Sequence, residues 1–251
     1  MARRTHLASE GFVDPDSYAD RLLDWISANL VAVVILAALT LIGVGAYAGW
    51  RGWRASQEDK AAAALGAAER EYLTSMGAEP GSYDFAEPAN PETAKQSRAA
   101  AVDRFLAVAK QYEGRRAATL ARIEAGGLLV EVGQPGRAIE VWGEALPGAA
   151  GHPDLRALVQ TRIAQAQESL GQWKEAAEAY AAAAEIPGYP LHAWALADAA
   201  RCYAAAGDTE HAVTFANRVQ AEAPNAQLPP YLEARLQEIR ATRPAPAPQA
   251  P

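Results

Sequence analysis

The sequence predicts an all-α protein, a solenoid of helical hairpins tethered by one N-terminal transmembrane helix. Three observations carry this prediction. Alanine and leucine dominate a chain of 251 residues that is 50% hydrophobic, a composition that favours helices. The run from Leu30 to Ala48, "LVAVVILAALTLIGVGAYA", contains no charge. Further on, glycine-to-alanine breaks recur at a near-constant interval, the mark of a helical repeat.

The uncharged apolar run lies near the N-terminus. Its nineteen residues, at about 1.5 Å each, cover about 28 Å, close to the hydrocarbon thickness of a bilayer. Trp25 precedes it, and Tyr47, Trp50 and Trp53 follow it, as expected where amphipathic rings sit among headgroups. Trp25, Trp50, Arg51, Trp53 and Arg54 are therefore the expected membrane-interface residues. "AYA" at 46–48 resembles a signal-peptide cleavage site. Yet the long preceding segment with five acids favours an uncleaved signal anchor. Near the span, the N-terminal side carries Arg21, with Arg3 and Arg4 further off, and the C-terminal side carries Arg51, Arg54 and Lys60. Read literally, that bias would keep the C-terminal part in the cytoplasm; the rule weakens for long translocated domains, so charge leaves sidedness open. Gly45 and Gly49 form a GxxxG pair, a spacing that lets a second membrane helix approach closely. Gly43 and Gly52 are candidate kink points.

Around the span, residues 1–13 read as disordered. Asp14 is placed to cap a helix beginning at Pro15, and the helical pattern runs, as one long bent helix, to about Met76. "GAEPGSYDFAEPANPE" reads as a loop. Helical texture resumes at Thr93 and continues to Arg240, and "RPAPAPQAP" is a disordered Pro/Ala tail. The expected organisation is 1–29, a short segment with a juxtamembrane helix; 30–50, the anchor; 51–242, the repeat domain; and 243–251, the tail.

The repeats are read from "EVGQPGRA", "SLGQWKEA" and "AAGDTEHA". Gly133, Gly171 and Gly207 each stand five residues before Ala138, Ala176 and Ala212, and four residues later come Trp142, Tyr180 and Ala216. One period earlier lie Ala101 and Phe105. The glycine allows the left-handed backbone that ends a first helix. The alanine lets the second helix press against the first, and the large residue on the same face fills the space between hairpins. Small–large pairs in the first helices agree: Gly126 with Leu129, Ala164 with Gln167 (a weak match) and Ala200 with Tyr203. Pro224 closes the third unit.

These positions, over residues 119–226, resemble the tetratricopeptide repeat. A divergent unit at about 58–112 and a capping helix at 231–240 would complete the stack. Turns such as "EALPGAAGHPD" and "AEIPGYPLH" are longer than the family's. The join of anchor and repeats, with Gly49, Trp50, Arg51 and Trp53 matching a Gly-Trp-Arg-x-Trp stretch, resembles the ancillary SecYEG translocon subunit family (YfgM-like proteins). That resemblance implies an inner-membrane protein with a cytoplasmic N-terminus and a periplasmic repeat domain. It also implies partners among the Sec translocon, periplasmic chaperones and exported chains.

Catalytic chemistry is not evident. His6, His152, His192 and His211 stand apart, with no HExxH pair and no Cys–His cluster for zinc. No phosphate-binding glycine loop or GxSxG elbow occurs. Cys202 is the single cysteine and reads as inert core. Glu175 and Glu178 read as solvated. A net charge of −7 argues against the basic face that nucleic acid requires. No enzyme activity, cofactor or metal is expected. What remains is the concave wall of first helices. Its expected groove residues are Ile123 and Glu131; Thr161, Gln165 and Glu168; and Trp194 and Arg201, with Val130, Leu158 and Ala197 beside them. This lining suits an extended or helical peptide. The leading expectation is a protein-binding module with lipid contact through one span. The alternatives are an adaptor for cytochrome maturation, cell division or envelope assembly, or a self-associating scaffold.

Overall fold

A computed structural model describes residues 15–79, 81–82, 88 and 90–242, with side chains from Arg21 onward. Asp14, residues 1–13 and the tail from 243 lie outside the described residues. The chain divides into two compact units, Met1–Ser56 and Gln57–Pro251.

In the first unit, helix α1 (Pro15–Ala28) is followed by the start of α2 (Leu30–Ser75). The junction at Asn29 keeps helical hydrogen bonding: Asn29 N–H donates to Trp25 O at 3.0 Å and Val33 N–H donates to Asn29 O at 3.0 Å. The apolar stretch of α2 has a mean hydropathy of 2.5 and none of it is buried, so no protein core explains its composition. Within this stretch the Thr40 hydroxyl is satisfied by the helix itself, Thr40 Oγ1 donating to Leu36 O at 2.8 Å. At the end of the run the Tyr47 and Trp50 rings lie 6.2 Å apart. The Arg54 guanidinium sits 5.4 Å over the Trp50 ring, a cation–π arrangement.

The second unit is a succession of helical hairpins. The Gln57–Ser75 part of α2 precedes α3 (Pro91–Gln111). Then come α4 (Arg116–Glu131) with α5 (Pro135–Ala145), α6 (Pro153–Ser169) with α7 (Trp173–Ala184), and α8 (His192–Ala205) with α9 (Thr209–Glu222). Helix α10 (Pro230–Ala241) packs on α8 and α9. The described residues contain no strand. Helix α3 begins at Pro91, before the expected Thr93, because Asn90 Oδ1 accepts from Glu92 N–H at 3.0 Å and Pro91 suits the first helical position.

Each first helix ends in the same backbone device. Gly133, Gly171 and Gly207 have φ of 80°, 72° and 81°. The next residue's N–H reaches back to the carbonyl of Leu129, Gln167 and Tyr203 at 2.8, 2.9 and 2.9 Å. This double-bonded left-handed cap satisfies carbonyls that would otherwise be orphaned. A fourth copy closes α2, where Gly77 has φ 95° and Ala78 N–H donates to Leu73 O at 2.9 Å.

The core follows the repeat. Ala101, Ala138, Ala176 and Ala212 are at most 1% exposed, and Phe105, Trp142, Tyr180 and Ala216 at most 3%. Ala61, Leu65 and Ala68 of α2 join the same apolar core. Burying a side chain such as Phe105 or Leu129 contributes about 1.5–3 kcal/mol. The pairing of Gly126 with Trp142 is a very close approach. The indole lies where a Cβ on residue 126 would stand, and Trp142 Nε1–H donates to Ile123 O at 3.0 Å. The long turn after α5 tightens into a 3₁₀ segment, Pro147–Ala149, and brings Gly148 against the buried Thr119.

Candidate functional site

Because α4, α6 and α8 are the first helices of successive hairpins, residues at equal distance from each turn glycine fall into rows. Ile123, Thr161 and Ala197 form one row; Glu124, Arg162 and Asp198 form the next. Between α4 and α6 the rows border a groove of ≈ 400 Å³. Ile123, Glu131 and Gln165, expected in the groove, line it, together with Val130 and Leu158, expected beside them. Val130 and Leu158 are 40% and 39% exposed, so each offers apolar surface that the fold leaves open. Ala197 is fully buried and contributes to helix packing rather than to the open wall.

Of the remaining expected residues, Glu168 and Arg201 meet in a second, more enclosed cluster. Arg201 grips Glu168 with both ends of its guanidinium, each at 2.8 Å. It also donates to Asp198 at 3.1 Å. Tyr180 O–H donates to Glu168 Oε1 at 2.7 Å. Burial alone would raise the Glu168 pKa, but the bonds from Arg201 and Tyr180 outweigh it and hold the carboxyl below its usual range. For Asp198 burial wins over Arg201, and the pKa is raised. The Arg201 pKa is raised chiefly by its bond to Glu168, so its charge is fixed. Burial pushes the neighbouring Cys202 thiol up to about 12. Glu168 and Arg201 thus bind each other first, joining α6 to α8. Thr161 Oγ1 lies 3.2 Å from the Tyr189 hydroxyl, and Trp194 is 38% exposed. Glu131 is paired with Arg98 at 2.6 Å.

Sequence reasoning passed over Glu69, Glu124 and Arg162, which border the wall. The signal was available for two of them: Glu124, Arg162 and Asp198 share a register counted from the turn glycines. Of the histidines, His192 contacts Ala184 O at 2.8 Å and Glu222 at 2.9 Å. His211 contacts Asp208 at 2.8 Å, and Asp208 also caps α9 by accepting from His211 N–H. Among the described residues no group of three or more His, Cys, Asp or Glu could hold a metal ion.

Residues 169–238 match the tetratricopeptide repeat family model. With the hairpin geometry, that match makes the fold a tetratricopeptide-like solenoid. Solved structures with tetratricopeptide-like repeats align with it. One, a Podosopora anserina kinesin light chain protein with nearly identical repeats, is 17% identical over 73% of this chain and 96% of its own, with a TM-score of 0.45. A point variant of that protein gives 17% identity over 73% and 94%, with a TM-score of 0.46. The apo form of RapI is 14% identical over 72% of this chain and 47% of its own, with a TM-score of 0.48. No curated protein matches the chain significantly. Tetratricopeptide repeats imply a protein–protein interaction module.

Proposed function

We propose that the chain is a non-enzymatic, membrane-anchored adaptor whose repeat groove receives polypeptide partners. The observation that carries this reading is the open groove between α4 and α6, where Val130 and Leu158 leave apolar surface exposed beside polar Glu131 and Gln165. The anchor is the uncharged, unburied stretch of α2, flanked by Trp25 and by Trp50, Arg51, Trp53 and Arg54. Tethering raises the groove's effective concentration for chains that emerge at the same membrane. The Gly49–Trp53 join further supports a role beside the Sec translocon, handing exported chains to periplasmic chaperones. The N-terminus is then cytoplasmic and the repeats periplasmic.

A photoreactive residue in place of Trp194, in native membranes, tests the partners. The expected products contain the secretion channel or exported chains. Products containing only cytochrome-maturation or cell-division components would move the adaptor to those processes. An alkaline phosphatase fusion after Arg240 tests sidedness and is expected to be active; an inactive fusion removes the periplasmic reading. Gly45 and Gly49 have no heavy atom within 4 Å of their Cβ positions, so that face of the span is open, and cross-links of the chain only to itself would favour a scaffold.

A further inference from the structure

On the wall formed by the Gln57–Ser75 part of α2 and by α4, Glu69 and Glu124 stand outside the ion pairs found among the described residues. Glu69 and Glu124 border a cavity of ≈ 290 Å³ whose apolar lining is Tyr72, Leu73, Phe105 and Leu128. Glu124 also borders the α4–α6 groove. Desolvation raises the Glu124 pKa, repulsion by Glu69 and Glu131 raises it further, and the field of Arg162 offsets this only in part. Glu131 is held by Arg98. Among the described residues, no Lys, Arg or His nitrogen lies within 4.0 Å of a carboxylate oxygen of Glu69 or Glu124.

An apolar shelf bordered by two carboxylates that have no cationic partner among the described residues fits a side chain with an aliphatic stem and a cationic head. Lys and Arg have that form. A second copy of a chain with net charge −7 has the wrong overall sign. A planar lipid surface cannot enter a cleft between two helices. We propose that this groove selects polypeptide segments combining apolar and cationic residues, a Lys or Arg side chain lying along the half-buried Tyr72 and Leu73 with its charge at Glu69 and Glu124. The selection rests on the adaptor reading above and adds the chemistry of the partner.

The test uses the full chain in the uncharged detergent dodecyl maltoside and three fluorescent peptides of about twelve residues. These are rich in Leu with Lys, in Leu with Gln, and in Leu with Glu. Anisotropy titration is expected to rank them in that order, the Leu/Lys peptide binding about tenfold tighter than Leu/Gln, the scale of a charge-assisted contact. E69Q/E124Q is expected to abolish the preference. E140Q/E175Q changes the net charge equally at exposed residues of the second helices and is expected to preserve it. Equal binding of Leu/Lys and Leu/Gln overturns the selection while leaving the adaptor reading intact. Equal loss in both double variants overturns it too, since a diffuse field would then suffice. Binding of none of the three removes the adaptor reading with it.

Discussion

Replacing Gly126 by alanine adds one methyl group at a tight contact in the stack. That carbon would lie 2.6 Å from Trp142 Cδ1, whereas ordinary contact begins at 3.4 Å. The indole must therefore retreat by about 1 Å in a packed interior. Trp142 is 3% exposed and has little room to move. Overpacking of this kind costs about 1–3 kcal/mol. Breaking the Trp142–Ile123 hydrogen bond costs about 1 kcal/mol more. Removing a mid-helix glycine returns at most about 1 kcal/mol. The net loss is about 2 kcal/mol, or about 4–8 °C of melting temperature for a domain of this size. Gly127, the next residue, supplies the control, because nothing lies within 4 Å of its Cβ position. G127A is expected to gain about 0.5–1 kcal/mol. Circular dichroism melts of the purified full-length variants compare the two. A G126A protein that melts at or above G127A would refute the packing account.

Other perturbations follow from the same geometry. G171A and G207A force a left-handed backbone on a residue with a Cβ and are expected to cost about 1–2 kcal/mol each, read as a lower melting temperature. R201M strands the carboxylates of Glu168 and Asp198, whose side chains are 18% and 22% exposed; a loss of about 2–4 kcal/mol is expected, discounted for that exposure. The folded pKa of Glu168 is lowered, so its stabilising contribution is present above the unfolded carboxyl pKa and is lost as pH falls through the folded value. Acid titration of E168Q should therefore show a flatter loss of stability on the acid side than the parent. The Cys202 thiol, fully buried and with its pKa pushed up to about 12, should resist maleimide at neutral pH until the protein is denatured.

Much of the fold was legible because the repeat is local. A turn glycine, an alanine and a large residue at fixed spacing each answer one packing need, and the structure places all three as those needs dictate. The first hairpin was harder to read. Its turn glycine, Gly77, performs the same function as the other three, but the long segment before Pro91 breaks the period between Gly77 and Gly133. The groove was legible in part. Ile123, Glu131 and Gln165 follow from which helix face looks inward. That Glu168 is consumed by Arg201 and Tyr180 depends on how neighbouring hairpins stack, which no single repeat encodes. Ala197 shares a row with Ile123 and Thr161, yet its small side chain ends beneath its neighbours.

Amide hydrogen exchange of the full chain, with and without the Leu/Lys peptide, tests most directly whether the first helices form the recognising wall. The account predicts added protection confined to 120–131 in α4, 158–169 in α6 and 65–75 in α2, with α5, α7 and α9 unchanged. Protection centred on α5, α7 or α9, with the first helices unaffected by saturating peptide, would contradict it.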